Sequence, residues 1–410
     1  MHILSNIKVG LNKIKDIIIC PVAIRIYIAL IGFCCSVLIN KSIGLSLKGQ
    51  YTTITSYANY GQMLLNLGLC FAYPVIIKKY RDKFNKESLL TIIWIQTFLC
   101  ILIASIGSIF VNNDTFVFVF LLTTLIICNG QILFIALIDD IKKRNYILLA
   151  SSCFYLLFCV ISFCCFNGSL YVVLYFLMGK YLIEIIIVSI AYKYFVFKPK
   201  TIKRDFVKVV FSFGIPAAIM NLLISVNYSI DVLMLNLMNA DIVEIGIYGV
   251  AYSLSNMLWI IPDAFKEMVY SKSVKNNNYL YVFKYLLISV LICGAVLIGF
   301  IFLGKSFLSF FYTEEFVISY KTVIVLFAGV IPMIAFKLIH PIYVNSGKTV
   351  LVGIMLLVSV SANIVSSYYL IPISGAYGAA LATVISYSVC GVLFLSKFIY
   401  DYVLRQKTIQ

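Results

Sequence analysis

Asn59, Gln62 and Asn66 stand three and four residues apart in a stretch free of charge from Gly49 to Ile77. On a helix that spacing puts them on one face. Asn227 and Asp231 are four apart. Tyr252, Asn256, Trp259, Asp263 and Glu267 repeat the same spacing farther along. Amides, phenols and carboxylates in such stripes either wall a polar cavity or bond neighbouring helices together.

The charged groups carry sharper chemistry. A guanidinium suits two-point recognition of phosphate, and Arg25 stands at the start of an apolar segment. A basic side chain there is equally suited to reaching the interface as an anchor. Lys266 and Lys337, near the ends of two later segments, share both readings. If two of these cations turn inward, they would attract an anionic headgroup. Lys180 and Glu184 are one helical turn apart. They either neutralise each other or give one charge each to a proton path. Pro216 and Pro332 fall inside apolar segments, where each removes a helical hydrogen bond and makes a hinge or a static kink.

These residues are positioned by elements that are apolar throughout. Of the 410 residues 62% are hydrophobic and 12% charged, against about a quarter charged in a soluble domain. Ser88–Asn113, Thr115–Ile138, Asn145–Gly179 and Thr349–Ser396 contain no ionisable Asp, Glu, Lys, Arg or His. A membrane crossing needs roughly 20 apolar residues, and in lipid such runs must be helical. The predicted spans are 22–40, 52–77, 88–111, 115–138, 146–166, 169–192, 209–234, 246–265, 280–303, 317–339, 349–370 and 376–396. The expected fold is therefore all-α and integral to the membrane, with about 12 helices.

Loop charge sets the expected orientation. With the N-terminus inside, 25 of the 32 Lys and Arg fall on the cytoplasmic side. Lys41, Lys48 and Lys305 fall outside, and Arg25, Lys180, Lys284 and Lys321 lie in spans or at their ends. Both termini are thus placed in the cytoplasm. The formal net charge of +16 follows from this asymmetry and calls for no nucleic acid or other acidic partner. The most basic loop, 193–208, divides a six-helix half at 22–192 from another at 209–396. Residues 1–21 read as a cytoplasmic interfacial segment and 397–410 as a cytoplasmic tail. Gly49-Gln50-Tyr51 after the first span and Gly246-Ile247-Tyr248 after the seventh hint at an internal repeat. Two such halves around a central cavity are a recurring transporter plan.

Several classes lose support. The outer loops are about a dozen residues at most, too short for a catalytic domain. There is no phosphate-binding glycine loop, serine nucleophile motif or metal-ligand cluster, so neither enzyme chemistry, cofactor nor metal is expected. The 12 cysteines show no metal or redox spacing and read as small packing residues.

Phe213-Gly214-Ile215-Pro216, Asp231, Gly246-Ile247-Tyr248-Gly249-Val250-Ala251, Asn363 and the closing Leu370-Ile371-Pro372-Ile373-Ser374-Gly375-Ala376-Tyr377-Gly378-Ala379-Ala380 carry a family resemblance. The chain resembles the O-antigen and capsule repeat-unit flippases of the multidrug/oligosaccharidyl-lipid/polysaccharide exporter superfamily. The resemblance implies movement of an undecaprenyl-diphosphate-linked glycan across the bacterial cytoplasmic (inner) membrane, by alternating access coupled to an ion gradient, for surface polysaccharide or lipopolysaccharide synthesis. It implies membrane lipids as surroundings, and a polysaccharide polymerase and chain-length regulator as candidate partners. On that reading Arg25, with Lys266 or Lys337, takes the diphosphate. Asn59, Gln62, Asn66, Tyr252 and Asn256 take sugar hydroxyls. Glu184, Asp231 or Asp263 carries the coupling ion. A drug or cation antiporter of the same superfamily is the nearest alternative, but its first span typically holds an acid where this chain has Arg25. Peptidoglycan-precursor flippases usually carry extra spans, and glycan polymerases a large outer loop.

Overall fold

Backbone N–H and C=O groups have no water to bond in a bilayer, so the chain satisfies them within helices. The computed structural model describes residues 2–79, 85–110, 114–166, 168–198, 202–273 and 280–409. The side chains of 2–23, Arg25 and Glu267 are among those outside the description. The helices are α1 (His2–Leu65), α2 (Tyr73–Lys79), α3 (Lys86–Phe110), α4 (Asp114–Asp139), α5 (Ile141–Cys165), α6 (Leu170–Ala191), α7 (Arg204–Leu237), α8 (Ile242–Leu258), α9 (Ile260–Ser273), α10 (Leu280–Phe311), α11 (Tyr320–Asn345) and α12 (Thr349–Ile409). Among the described residues, ten segments are long and apolar enough to cross a membrane.

Two of those ten, 26–65 and 349–403, hold 40 and 55 residues, far more than one crossing needs. Each is two helices joined at a glycine outside the helical region: Gly44 at φ 70° and Gly375 at φ 51°. A side chain at such φ would be strained. The turns also leave the next helix with open N–H groups, and a distant carboxylate fills each opening. Leu45 N–H donates to Glu315 Oε1 at 3.1 Å, and Ala376 N–H donates to Glu244 Oε2 at 2.7 Å. Dividing both segments at their glycines gives the twelve helices expected.

The chain forms two compact units. The first comprises Met1–Ser42 and Ala58–Ile219. Within it α4 packs on α3, α5 and α6. At one end Leu69, Tyr73, Leu89, Ile93, Ile135, Tyr194 and Phe206 close a buried core. Asp139 gathers that end: Tyr73 and Tyr194 donate to it at 2.6 and 2.5 Å, and Lys86 pairs with it. Burial, then the Asp139 carboxylate, pushes the Tyr194 phenol far above its ordinary pKa, so it remains a donor.

The second unit comprises Ile43–Tyr57 and Met220–Gln410. Its central helix is α11, which touches α8, α9, α10 and α12. The repeated glycine motifs meet here. A Cβ on Gly49 would fall 1.9 Å from Ile242 O, and one on Gly246 would fall 2.4 Å from Leu45 O. The repeat therefore marks a helix crossing at backbone contact distance. Gly49→Ala is expected to lower stability by about 1–3 kcal/mol through overpacking, read as a lower Tm of the purified protein in detergent. Gly353→Ala, whose Cβ would meet nothing nearer than Met220 Sδ at 3.6 Å, should leave the Tm unchanged.

Two expectations need correction, and the eighth span a refinement. The second span is not a continuous helix over 52–77. It stops at Leu65, breaks over 66–68, and resumes as a short 3₁₀ turn (Leu69–Ala72) and α2. Asn66 therefore does not share a helix face with Asn59 and Gln62. The span read over 246–265 stands as one crossing, 242–266, with a local turn at Trp259 between α8 and α9. Lys48 is not a loop cation. It lies buried in the helix after Gly44, with its ammonium 4.8 Å from the centre of the Tyr51 ring.

Candidate functional site

The second unit buries one carboxylate completely. Asp231, on α7, has no exposed surface, and among the described residues it forms no ion pair. Asn363 on α12 donates to its Oδ1 at 3.0 Å, and Ser367 holds Asn363 by donating to its Oδ1 at 3.0 Å. Oδ2 is buried with no hydrogen-bond partner, and the hydroxyls of Tyr248 and Thr383 lie near the carboxyl group. Those two hydroxyls are 3.2 Å apart. An isolated buried negative charge is costly, so this cage favours a bound proton or monovalent cation. One carboxylate among neutral oxygens supplies too little charge for most divalent ions. No cluster of three or more His, Cys, Asp or Glu suited to a metal occurs among the described residues.

One turn earlier Asn227 makes a different kind of contact. Its Oδ1 accepts from Ser359 at 2.9 Å and from Ser386 at 3.0 Å. Both serines are buried on α12, on either side of the Gly375 turn. Asn227 thus joins helices, while Asp231 keeps an oxygen in reserve.

A second cluster in this unit unites two residues singled out separately from the sequence. Lys337 on α11 donates to Asp263 Oδ1 and Oδ2 at 2.7 and 2.8 Å. The same ammonium lies 4.5 Å from the Trp259 ring and 5.5 Å from the Tyr228 ring. Those rings meet edge to face at 5.5 Å, and Tyr387 meets each at 5.9 Å. The Lys337 side chain is 11% exposed and that of Asp263 43%. The carboxylate therefore reaches the open side while the ammonium is held behind it. Lys266 is half-buried and Asn256 exposed. Tyr252 stacks on Tyr248 at 6.3 Å.

The first unit has its own buried acid. Glu184 on α6 accepts from Asn129 at 2.6 Å and from Ser151 at 2.8 Å, with Lys180 at 3.9 Å. It is a shared acceptor for α4, α5 and α6 as well as half of an intrahelical pair. The helix break at 66–68 is tied down by amides: Gln96 donates to Leu65 O at 2.6 Å, and Gln131 to Asn66 O and Oδ1 at 2.9 and 2.7 Å. Asn59 is exposed and Gln62 half-buried. Pro216 and Pro332 both lie inside continuous helices. The carbonyl of Pro332 lies against Gly391, where a Cβ would come within 2.1 Å of it. Arg25 falls in α1, with its side chain outside the described residues.

The sequence reading passed over Asn129, Gln131, Gln96, Ser359 and Ser386. Each is an uncharged polar residue inside a run whose lack of charge was the signal for a span.

Comparison with known proteins places these clusters in a family context. A family described as polysaccharide biosynthesis protein matches residues 15–261. The chain belongs to this family. No curated protein matches it significantly. Among solved structures, this family member is similar to the lipid II flippase MurJ in an inward closed conformation, with a TM-score of 0.70 and 18% identity over 94% of this chain and 89% of that one. It is also similar to the inward-facing form of a multidrug resistance MATE family transporter of the MOP superfamily. There the TM-score is 0.68 and identity 13%, over 94% of this chain and 99% of that one. A MOP superfamily transporter from Pyrococcus furiosus aligns at a TM-score of 0.50 and 13% identity, over 94% and 97%. At these identities the likeness is one of fold. The chain is a multi-pass membrane protein with the two-half fold of MOP-superfamily transporters.

Proposed function

We propose that this protein moves an undecaprenyl-diphosphate-linked oligosaccharide repeat unit from the inner to the outer leaflet of the bacterial cytoplasmic membrane, by alternating access driven by an ion gradient. The product serves surface polysaccharide synthesis, O-antigen or capsule, and both termini face the cytoplasm. The observation that carries the proposal is the conjunction of a polysaccharide-biosynthesis family match with a transporter fold. Sugar-chain synthesis on a lipid carrier needs a step that crosses the bilayer. A similar fold in a lipid II flippase supports lipid-linked cargo.

The residues divide the work by chemistry. Arg25, Lys266 and Lys337 supply positive charge for the diphosphate. Asn59, Gln62, Asn66, Tyr252 and Asn256 offer amides and a phenol to sugar hydroxyls. Asp231 carries the coupling ion, since it alone of Glu184, Asp231 and Asp263 has neither a cation beside it nor both oxygens bonded. Pro216 and Pro332 act as hinges. A polymerase and a chain-length regulator act on the delivered units.

The deciding experiment measures the sidedness of lipid-linked repeat units in cells lacking this protein. Units should accumulate on the cytoplasmic leaflet and clear when the gene is restored. Single units collecting on the outer leaflet would instead indicate a polymerase. No change on either leaflet would indicate a small-solute antiporter.

A further inference from the structure

One feature of the first unit lies apart from the residues assigned to the cargo above. After α6 the chain turns back onto α3. Residues 194–198 run as a non-helical strap along α3, held to it at four points and to Asp139 of α4 at a fifth. The buried Tyr194 donates through its hydroxyl to Asp139, and its carbonyl accepts from Trp94 Nε1 at 2.9 Å. Phe195 stacks on Trp94 at 5.5 Å and 18°. Lys198 N–H donates to Thr91 Oγ1 at 3.0 Å, and its ammonium pairs with Glu87 at 2.8 Å. Backbone polar groups beside lipid need partners within the protein; Trp94 and Thr91 supply them for Tyr194 O and Lys198 N–H, and Val196 N–H turns back to Tyr194 O at 2.7 Å.

The strap makes a groove. Trp94, Phe98, Leu99, Ile101 and Phe197 line an apolar trough of about 460 Å³ on the outer face of α3. Phe98 and Phe197 are each 65% exposed, so the trough opens to the side. Its size lies within the range of ligand pockets, roughly 300–1,000 Å³. The charge beside it is one-sided. Lys193, Lys198, Lys203, Arg204 and Lys208 are exposed within one short segment, against Glu87 and Asp205. Four to eight basic residues directly next to a spanning helix attract anionic lipid headgroups.

We propose that this groove is a binding site for an anionic phospholipid of the leaflet on the basic side. One acyl chain lies between α3 and Phe197, and the phosphate lies near Lys193, Lys198, Lys203 and Arg204. The occupant is a lipid because the trough is apolar and opens sideways on a membrane-spanning helix. It is an anionic lipid because the rim is basic. The site lies wholly within the first unit and requires no particular cargo.

The chain contains two tryptophans, and one of them, Trp94, lines the groove. Trp259→Phe therefore leaves a single fluorophore at the proposed site. The protein would be reconstituted in phosphatidylcholine bilayers containing equal mole fractions of brominated phosphatidylglycerol or brominated phosphatidylcholine. Phosphatidylglycerol should quench Trp94 with a relative affinity at least roughly threefold higher. Lys193→Gln/Lys198→Gln/Lys203→Gln should abolish that preference while leaving quenching by phosphatidylcholine in place. Ile101→Phe, which fills the trough without touching the charges, should weaken phosphatidylglycerol quenching. Equal quenching by the two lipids would overturn the proposal, because it describes ordinary annular lipid. So would a preference that survives the triple substitution. Relief of quenching by undecaprenyl phosphate but not by unbrominated phosphatidylglycerol would assign the groove to a polyprenyl chain and overturn it equally.

Discussion

Asp231→Asn should abolish transport while leaving the protein folded and inserted. The amide is nearly the same shape. It keeps the bond from Asn363, and its new N–H₂ takes the place of the unpartnered Oδ2, near the Tyr248 and Thr383 hydroxyls. Because the cage favours a neutralised carboxyl, exchanging it for a neutral amide should change stability by no more than about 1 kcal/mol. What is lost is the group able to take up and release a proton or cation. If the ion gradient acts through Asp231, uptake of lipid-linked cargo into proteoliposomes should fall to background and no longer respond to an imposed gradient. An altered protein that transports normally would remove Asp231 from the coupling role. A Tm that drops sharply would make the carboxylate a structural acceptor.

The contrast with Asn227 shows what a sequence displays of such a site and what it hides. Asn227 and Asp231 are four residues apart on α7 and look equivalent as a polar stripe. Only their partners separate them, and those partners come from α12, 132 or more residues away. Spans are legible because lipid imposes a local rule, a long run without charge. That rule locates α3, α4 and α6 closely, finds α5 and α10 with one end misplaced, and places a turn beside Pro372 where Gly375 breaks α12. It fails where the backbone itself is irregular. Residues 66–68 lie in an uncharged run, so the break shows only in the Asn66-Leu67-Gly68 tripeptide. The amides that make it tolerable, Gln96 and Gln131, lie on other helices. Lys48 failed for the converse reason. A charge normally marks a loop, but the turn at Gly44 takes a single residue, so the helix has already resumed by Lys48.

The Lys337–Asp263 pair yields the second large effect, because its two members are unequally buried. Asp263→Asn leaves Lys337, 11% exposed, with two ring faces and no counter-ion. Losing the partner of a buried charge costs about 3–5 kcal/mol. Lys337→Met leaves Asp263, 43% exposed, free to be hydrated, and a thioether packs well against Trp259 and Tyr228. That substitution should cost about 1 kcal/mol or less, as an exposed pair does. The order of the two Tm values therefore tests the pair's geometry without reference to function. The double variant Asp263→Asn/Lys337→Met should recover most of the stability lost by Asp263→Asn alone, since no buried charge is left. Transport should follow a different order. If Lys337 meets the diphosphate once Asp263 moves aside, both variants lacking the lysine should be inactive, including the well-folded double. A double variant that regains transport along with its Tm would make the pair a structural tie between α9 and α11 and leave anion capture to Arg25 and Lys266.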